Sequence, residues 1–175
     1  MNKSMSNILI IESRLLFCKI IKQYSVFFLL FSLNFTFCQT TFIARVVGIK
    51  DGDTVVVLDS LNNQTTLRLA EIDCPENSQP FGNKAKQFTS QEIYRKQIKY
   101  VVSDIDRYGR SIAMIYYDDN KYLSAELIKN GLAWHYKRYS ISEKLANFEN
   151  SARLQKVGLW YDKKPIEPWE WRRNK

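Results

Sequence analysis

Short apolar runs, each closed by a turn signal, dominate residues 41–117. Residues 41–49 are rich in Phe, Ile and Val and read as a strand. Asp51-Gly52 follows as a hairpin signal, since both residue types tolerate positive φ. Thr54-Val55-Val56-Val57-Leu58 continues as a second strand, and Asn62-Asn63 marks the next turn. A third strand is predicted over 65–72. Cys74-Pro75 ends it, because proline donates no ladder hydrogen bond. A helix is predicted over roughly 83–95, then strands over 97–103 and 111–117, parted by Tyr108-Gly109. Residues 122–129 read as a short helix, with Leu123 and Leu127 on one face and Asn130-Gly131 as its stop. In a last helix, Ser140 and Glu143 have capping-box spacing, Leu145, Phe148 and Ala152 form an apolar stripe, and Gly158 is the expected terminator. The tail carries Trp160, Trp169 and Trp171 among prolines and arginines.

The resulting order is β-β-β-α-β-β-α-α, with no repeat, low-complexity tract or linker to divide it. Five short strands favour a closed sheet, because closure removes exposed edges. The expected class is α+β, a five-stranded OB-type β-barrel with three helices.

The N-terminal residues do not fit that plan. Lys19 and Lys22 precede an apolar stretch over 25–37, which Asn34 interrupts. It is shorter than the ~20 residues a spanning helix needs. Thr36 and Cys38 are small residues two apart, which suits cleavage after Cys38. Residues 1–38 are therefore expected to be a signal peptide and 39–175 the folded domain, with an uncleaved anchor as the alternative. The expected product is secreted or periplasmic, has no stable membrane span after cleavage, and is a monomer.

Composition narrows the class. Of 175 residues, 45% are hydrophobic and 25% charged, which excludes a disordered chain. The formal net charge is +8. Without residues 1–38 the basic count falls from 26 to 22 and the acidic count from 18 to 17, so +5 remains. An anionic partner fits that balance. Of the three cysteines, Cys18 and Cys38 would leave with the signal. Cys74 then has no partner, and the domain must be held by its core and not by disulfides.

Candidate chemistry lies in three charged segments. Asp53 follows the first turn and Asp73 ends the third strand, twenty residues on. Neighbouring strands would bring both to one barrel rim. Two carboxylates, a backbone carbonyl (that of Cys74) and water make a reasonable Ca²⁺ shell. Glu76, directed by the rigid Pro75 step, can hold or deprotonate an attacking water. Arg68 alternates with Leu67 and Leu69 and so faces away from the core. With Arg110 it offers planar, permanently charged forks for a phosphate. Tyr136, Lys137, Arg138 and Tyr139 form a cationic-aromatic cluster suited to stacking bases and tracking a backbone, and Arg107 and Tyr108 can serve the same end. A single histidine, His135, excludes nucleases built on two.

The ordered set Asp51-Gly52-Asp53-Thr54, Leu67-Arg68-Leu69-Ala70-Glu71-Ile72-Asp73-Cys74-Pro75-Glu76 and Asp106-Arg107-Tyr108-Gly109-Arg110 resembles the staphylococcal nuclease family. Gly131-Leu132-Ala133-Trp134, Gly158-Leu159-Trp160 and Pro168-Trp169-Glu170-Trp171-Arg172 resemble its bacterial members. The resemblance spans about residues 41–172. It implies an OB-fold and Ca²⁺-dependent endonuclease activity on DNA and RNA, single-stranded or frayed regions preferred, leaving 3′-phosphate and 5′-hydroxyl ends. It implies that Asp53, Asp73 and the Cys74 carbonyl hold the metal and that Arg68, Glu76 and Arg110 are catalytic. It further implies that Arg107 and Tyr108 bind a terminal phosphate and that Tyr139, with Tyr136 nearby, lies beside substrate. The alternative from another class is an OB-fold module that binds nucleic acid without cutting it.

Overall fold

β1 (Thr41–Ile49) is the strand around which the sheet is built. It pairs antiparallel with β2 (Thr54–Leu58) on one edge and with β5 (Gln97–Ile105) on the other. β3 (Gln64–Leu69) pairs with β2, and β6 (Ser111–Tyr117) pairs with β5, both antiparallel. The circle closes where β3 and β6 run parallel, with Leu67 opposite Ser111 and Arg68 opposite Ile112. These five strands form the expected barrel in a computed structural model that describes residues 40–174. The signal segment expected over 1–38 lies outside the described residues. Among those residues no helix is long and apolar enough to cross a membrane.

Register shifts interrupt β1 between Val46 and Gly48 and β5 between Val102 and Asp104. Such bulges bend a strand and increase its twist, as closure of a small barrel requires. Inward-facing residues from all five strands, including Val46, Val55, Leu67, Leu69, Ile98 and Ile115, are fully buried. α1 (Gly82–Ile93) adds Ala85, Thr89 and Ile93, spaced four apart on one face. α2 (Leu123–Lys129) adds Leu123, Leu127 and Ile128, and α3 (Glu143–Leu154) adds Leu145.

Four local expectations are corrected. Neither Asp51 nor Gly52 has positive φ. Gly52 is needed for space instead, because a Cβ there would lie 2.7 Å from the Ala85 Cβ and 3.0 Å from the Cys74 Cβ. The third strand is not continuous to residue 72. It stops at Leu69, Glu71 adopts φ 69°, and a two-residue strand β4 (Ile72–Asp73) pairs with β8 (Trp134–His135), β7 (Lys121–Tyr122) having meanwhile extended the β6 edge. Ser142, not Ser140, caps α3, its hydroxyl accepting from the Leu145 N–H at 3.4 Å. α3 ends at Leu154, ahead of Gly158, which opens a 3₁₀ turn instead (Gly158–Tyr161). The tail also contains a fourth helix, α4 (Pro168–Arg173), with proline at its first position, where the missing N–H costs nothing.

A second apolar cluster sits beside the barrel. Trp134, Ala152, Leu159 and Trp160 are its buried members, and Phe81 and Trp169 pack against it. It seats α4 against the β4–β8 ribbon.

Candidate active site

Strand register brings the charged segments together. Thr54 pairs with Arg68, and the Leu69 N–H donates to the Asp53 carbonyl at 2.8 Å, which fixes Asp53 at the open end of β2. The Thr89 hydroxyl holds the adjoining turn by donating to the Gly52 carbonyl at 2.6 Å. Asp73 ends β4 opposite Trp134. The Arg68 guanidinium then meets both acids: Nη1 donates to Asp53 Oδ1 and Nη2 to Asp73 Oδ1, the latter at 2.5 Å.

Both carboxylates lie deep, Asp53 at 1% and Asp73 at 0% exposure. Burial pushes the Asp53 carboxyl well above the usual carboxylate range, against the pull of Arg68 and with further upward pressure from Asp51 and Asp73. Burial disfavours charge on Arg68 too, but Asp53 and Asp73 outweigh it and hold the guanidinium above its ordinary value. Asp53 Oδ2 accepts from the Cys74 N–H at 2.7 Å, and Thr54 Oγ1 donates to Asp53 Oδ1 at 3.3 Å.

The Cys74 thiol is buried, and burial pushes its pKa well up, with Asp53 adding to the rise. Among the described residues no three His, Cys, Asp or Glu side chains cluster closely enough to share one ion. The donors that Arg68 gathers here are the carboxylate oxygens of two aspartates. That donor set fits a hard cation such as Ca²⁺ and not the nitrogen and sulfur sites of Zn²⁺.

Arg110 enters from the β5–β6 turn. Asp106 Oδ1 accepts from the N–H groups of Tyr108 (2.9 Å) and Arg110 (3.0 Å), and Asp106 Oδ2 accepts from Arg110 Nε at 2.7 Å. These bonds outweigh burial and lower the Asp106 pKa. Gly109 supplies the φ of 76° that closes the turn. Arg110 Nη1 reaches Thr54 Oγ1 at 3.4 Å, the same hydroxyl that donates to Asp53. At the turn's tip, Arg107 and Tyr108 are exposed, with Arg107 Nη2 donating to the Tyr108 hydroxyl at 2.7 Å and its guanidinium over the ring at 4.8 Å.

Glu76 lies in the loop after Pro75, where Gln79 Oε1 accepts its N–H at 3.2 Å. Its carboxylate is joined to the pocket by Arg172 of α4. Arg172 Nη1 donates to Glu76 Oε1 at 2.7 Å, while Nη2 donates to Asp73 Oδ2 at 2.6 Å. Tyr136 and Tyr139 meet edge to face, centroids 5.0 Å apart, and Tyr139 is 70% exposed. One face of Tyr136 is already covered by Trp169, stacked at 5.2 Å and 7°. Tyr139 is thus the more open ring for stacking, with the Arg138 guanidinium 5.7 Å from its centroid.

Sequence reasoning overlooked Asp106, Thr54, Trp169 and Arg172. Asp106 carries a readable signal, an Asx-type acceptor ahead of a Tyr-Gly turn. Arg172 is marked only as the last residue of the Pro168-Trp169-Glu170-Trp171-Arg172 motif, because the partners that give it a role lie 99 and 96 residues earlier.

Comparison with known proteins agrees with this geometry. Residues 66–162, more than half of the chain, match the family model described as staphylococcal nuclease homologue. A protein of Haemophilus influenzae described as an uncharacterized endonuclease is 43% identical over 129 residues, covering 74% of this chain and 72% of its own. A micrococcal nuclease of Shigella flexneri is 37% identical over 143 residues, covering 75% and 81%. A staphylococcal-like nuclease of Arabidopsis thaliana is 42% identical over 109 residues, covering 62% of this chain and 33% of that longer protein. By barrel topology, residue order and these matches, the chain belongs to the staphylococcal nuclease family.

Proposed function

We propose that this protein is an exported, Ca²⁺-dependent endonuclease that hydrolyses the phosphodiester bonds of DNA and RNA. The observation carrying the proposal is the meeting of five side chains from distant segments: Asp53 and Asp73 on Arg68, Glu76 joined to Asp73 through Arg172, and Arg110 joined to Asp53 through Thr54. Family membership supports the same reading.

Asp53, Asp73 and the Cys74 carbonyl are the groups that would hold the cation. When bound, it supplies charge neutralisation at the phosphoryl oxygens and acidifies an adjacent water. The remaining chemistry belongs to the chain. Glu76 takes a proton from the water whose oxygen attacks phosphorus. Arg110, pre-aimed by Asp106, donates to the oxygens on which charge accumulates. Arg68 adds its donors where Asp53 and Asp73 have a bound cation to balance them. The P–O5′ bond breaks, the 5′-oxygen takes a proton from solvent, and the phosphate stays on the 3′ side. Arg107 and Tyr108 hold a neighbouring phosphate, and Tyr139 stacks on a base, which favours single-stranded or frayed substrate. Read as a signal peptide, residues 1–38 direct the protein to the envelope or beyond, where it acts as a monomer.

The test is cleavage of DNA and RNA by the purified protein with Ca²⁺, with chelator, and with Ca²⁺ restored, followed by end-group analysis. Cleavage is expected only with Ca²⁺, leaving 3′-phosphate ends. Salt-sensitive binding without cleavage would replace the enzyme by a binding module, and full activity in chelator would remove the metal mechanism.

A further inference from the structure

We propose that Arg172, near the end of the chain, is a positioning residue for the reaction: its guanidinium fixes the Glu76 carboxylate relative to Asp73. This inference rests on the nuclease reading above and adds to it the C-terminal helix as a working part of the site.

The geometry is that of a bridge. Arg172 Nη1 donates to Glu76 Oε1 at 2.7 Å and to Asp73 Oδ1 at 3.2 Å, and Nη2 donates to Asp73 Oδ2 at 2.6 Å. Two carboxylates three residues apart repel one another, and a planar fork between them turns that repulsion into a fixed spacing. Among the described residues, Arg172 is the cation that pairs with Glu76. Glu76 itself sits on a loop, where the adjoining bonds are to its backbone: its N–H to Gln79 Oε1 and its carbonyl to the Gln79 N–H at 2.8 Å. Apart from Arg172, none of these contacts directs the carboxylate.

α4 is anchored so that this bridge has a defined position. Trp169 and Arg172 are three residues apart, hence on one helix face. Trp169 stacks on Tyr136 and meets Trp134 edge-on at 5.9 Å and 70°. Trp134 is the cross-strand partner of Asp73. On the other side, the buried Gln79 donates from Nε2 to the Ile166 carbonyl at 2.7 Å. The segment carrying α4 is therefore tied both to the strand holding Asp73 and to the loop holding Glu76. Arg172 is 42% and Glu76 36% exposed, and the buried Asp73 keeps its bond from Arg68, so losing Arg172 strands neither acid and costs little stability. Their consequence lies in where Glu76 points.

The experiment compares the parent protein with Arg172→Ala, Arg172→Lys, Glu76→Gln and the double variant Arg172→Ala/Glu76→Gln, by steady-state cleavage of a single-stranded DNA at saturating Ca²⁺ and by thermal melting. Misplacing a general base costs on the order of 10²-fold. Arg172→Ala is expected to lower kcat about 10- to 100-fold, leave KM within about threefold, and move the melting temperature by less than about 5 °C. Arg172→Lys is expected to recover part of the lost kcat, since a point charge replaces the fork. In the Glu76→Gln background, Arg172→Ala is expected to add almost nothing, because both changes act on one group.

A kcat for Arg172→Ala at or above the parent's would overturn the proposal, as would losses that multiply in the double variant. If Arg172→Ala unfolds, the Lys variant and its cycle with Glu76→Gln decide the question alone. Failure of the parent to cleave would instead remove the nuclease reading on which the inference rests.

Discussion

Thr54 and Arg68 are cross-strand partners in the β2–β3 pairing, and this register sets the electrostatics of the pocket. It puts Asp53, one residue before Thr54, within reach of the Arg68 guanidinium, which also meets Asp73. Removing Arg68 leaves the buried Asp53 without its cation and the buried Asp73 with Arg172 alone. Arg68→Ala is expected to lose about 3–5 kcal/mol of stability in chelator, measured by urea unfolding. Arg68→Lys, which keeps the charge but not the two-pronged reach, is expected to lose less. A loss under about 1 kcal/mol for the Ala variant would show that the acids do not depend on Arg68.

Gly52 holds the same pocket by being small. An added Cβ would stand 2.7 Å from the Ala85 Cβ and 3.0 Å from the Cys74 Cβ, and neither neighbour is a flexible side-chain end that can swing aside. The turn must then back away from α1, breaking the 2.6 Å bond from Thr89 to the Gly52 carbonyl and shifting Asp53. Gly52→Ala is expected to cost about 1–3 kcal/mol, the usual range for overpacking. It should also weaken Ca²⁺ binding in a calorimetric titration. Unchanged stability together with unchanged Ca²⁺ affinity would count against this account.

How much of this was legible follows from the range of each interaction. The period-2 pattern of Leu67-Arg68-Leu69 correctly turns both leucines inward, at 0% and 1% exposure, and leaves Arg68 outside the core. The break after Leu69 was invisible because its causes are distant. Glu71 is held at φ 69° with its carboxylate bonded by Tyr122 and Ser140 and its carbonyl by the Tyr136 N–H at 2.9 Å. The capping-box reading of Ser140 failed for the same reason. Its hydroxyl is spent on Glu71 and His135, and Ser142 takes over the cap. α4 is too short for a period to emerge, although proline at its start is a helix opener.

If Glu76 is the general base proposed above, its replacement separates binding from cleavage. Glu76→Gln keeps the size of the side chain and its place beside Arg172, but the amide cannot accept a proton. General base catalysis contributes typically 10²–10⁴-fold, so kcat is expected to fall by about that much. Affinity for single-stranded DNA, measured by fluorescence anisotropy in chelator, is expected to stay within about threefold, since phosphate contacts carry such binding. Turnover close to the parent's would take the proton-transfer role away from Glu76.

His135 gives the fold a pH dependence of known sign. Its Nε2 lies 2.9 Å from Ser140 Oγ, and that hydroxyl donates to Glu71 Oε1 at 2.8 Å. The Ser140 proton is thus committed to Glu71, so Nε2–H is the donor and Nδ1 is the unprotonated nitrogen of a neutral ring. Nδ1 is buried with no hydrogen-bond partner, and a proton placed there would be stranded. Burial accordingly lowers the His135 pKa. Lys137 adds to the lowering, and Glu149 and Glu71 oppose it without reversing it. An unfolded imidazole titrates near ~6.5. Between that value and the lower folded one, the unfolded chain binds more protons, so stability rises with pH. The contribution of His135 is complete above about pH 6.5 and is lost as pH falls through the folded value. His135→Gln removes the titration while keeping an amide that can donate to Ser140. Its melting temperature is expected to fall less steeply than the parent's between about pH 7 and pH 5, as followed by calorimetry. Parallel slopes for the two proteins would assign the acid sensitivity to other groups.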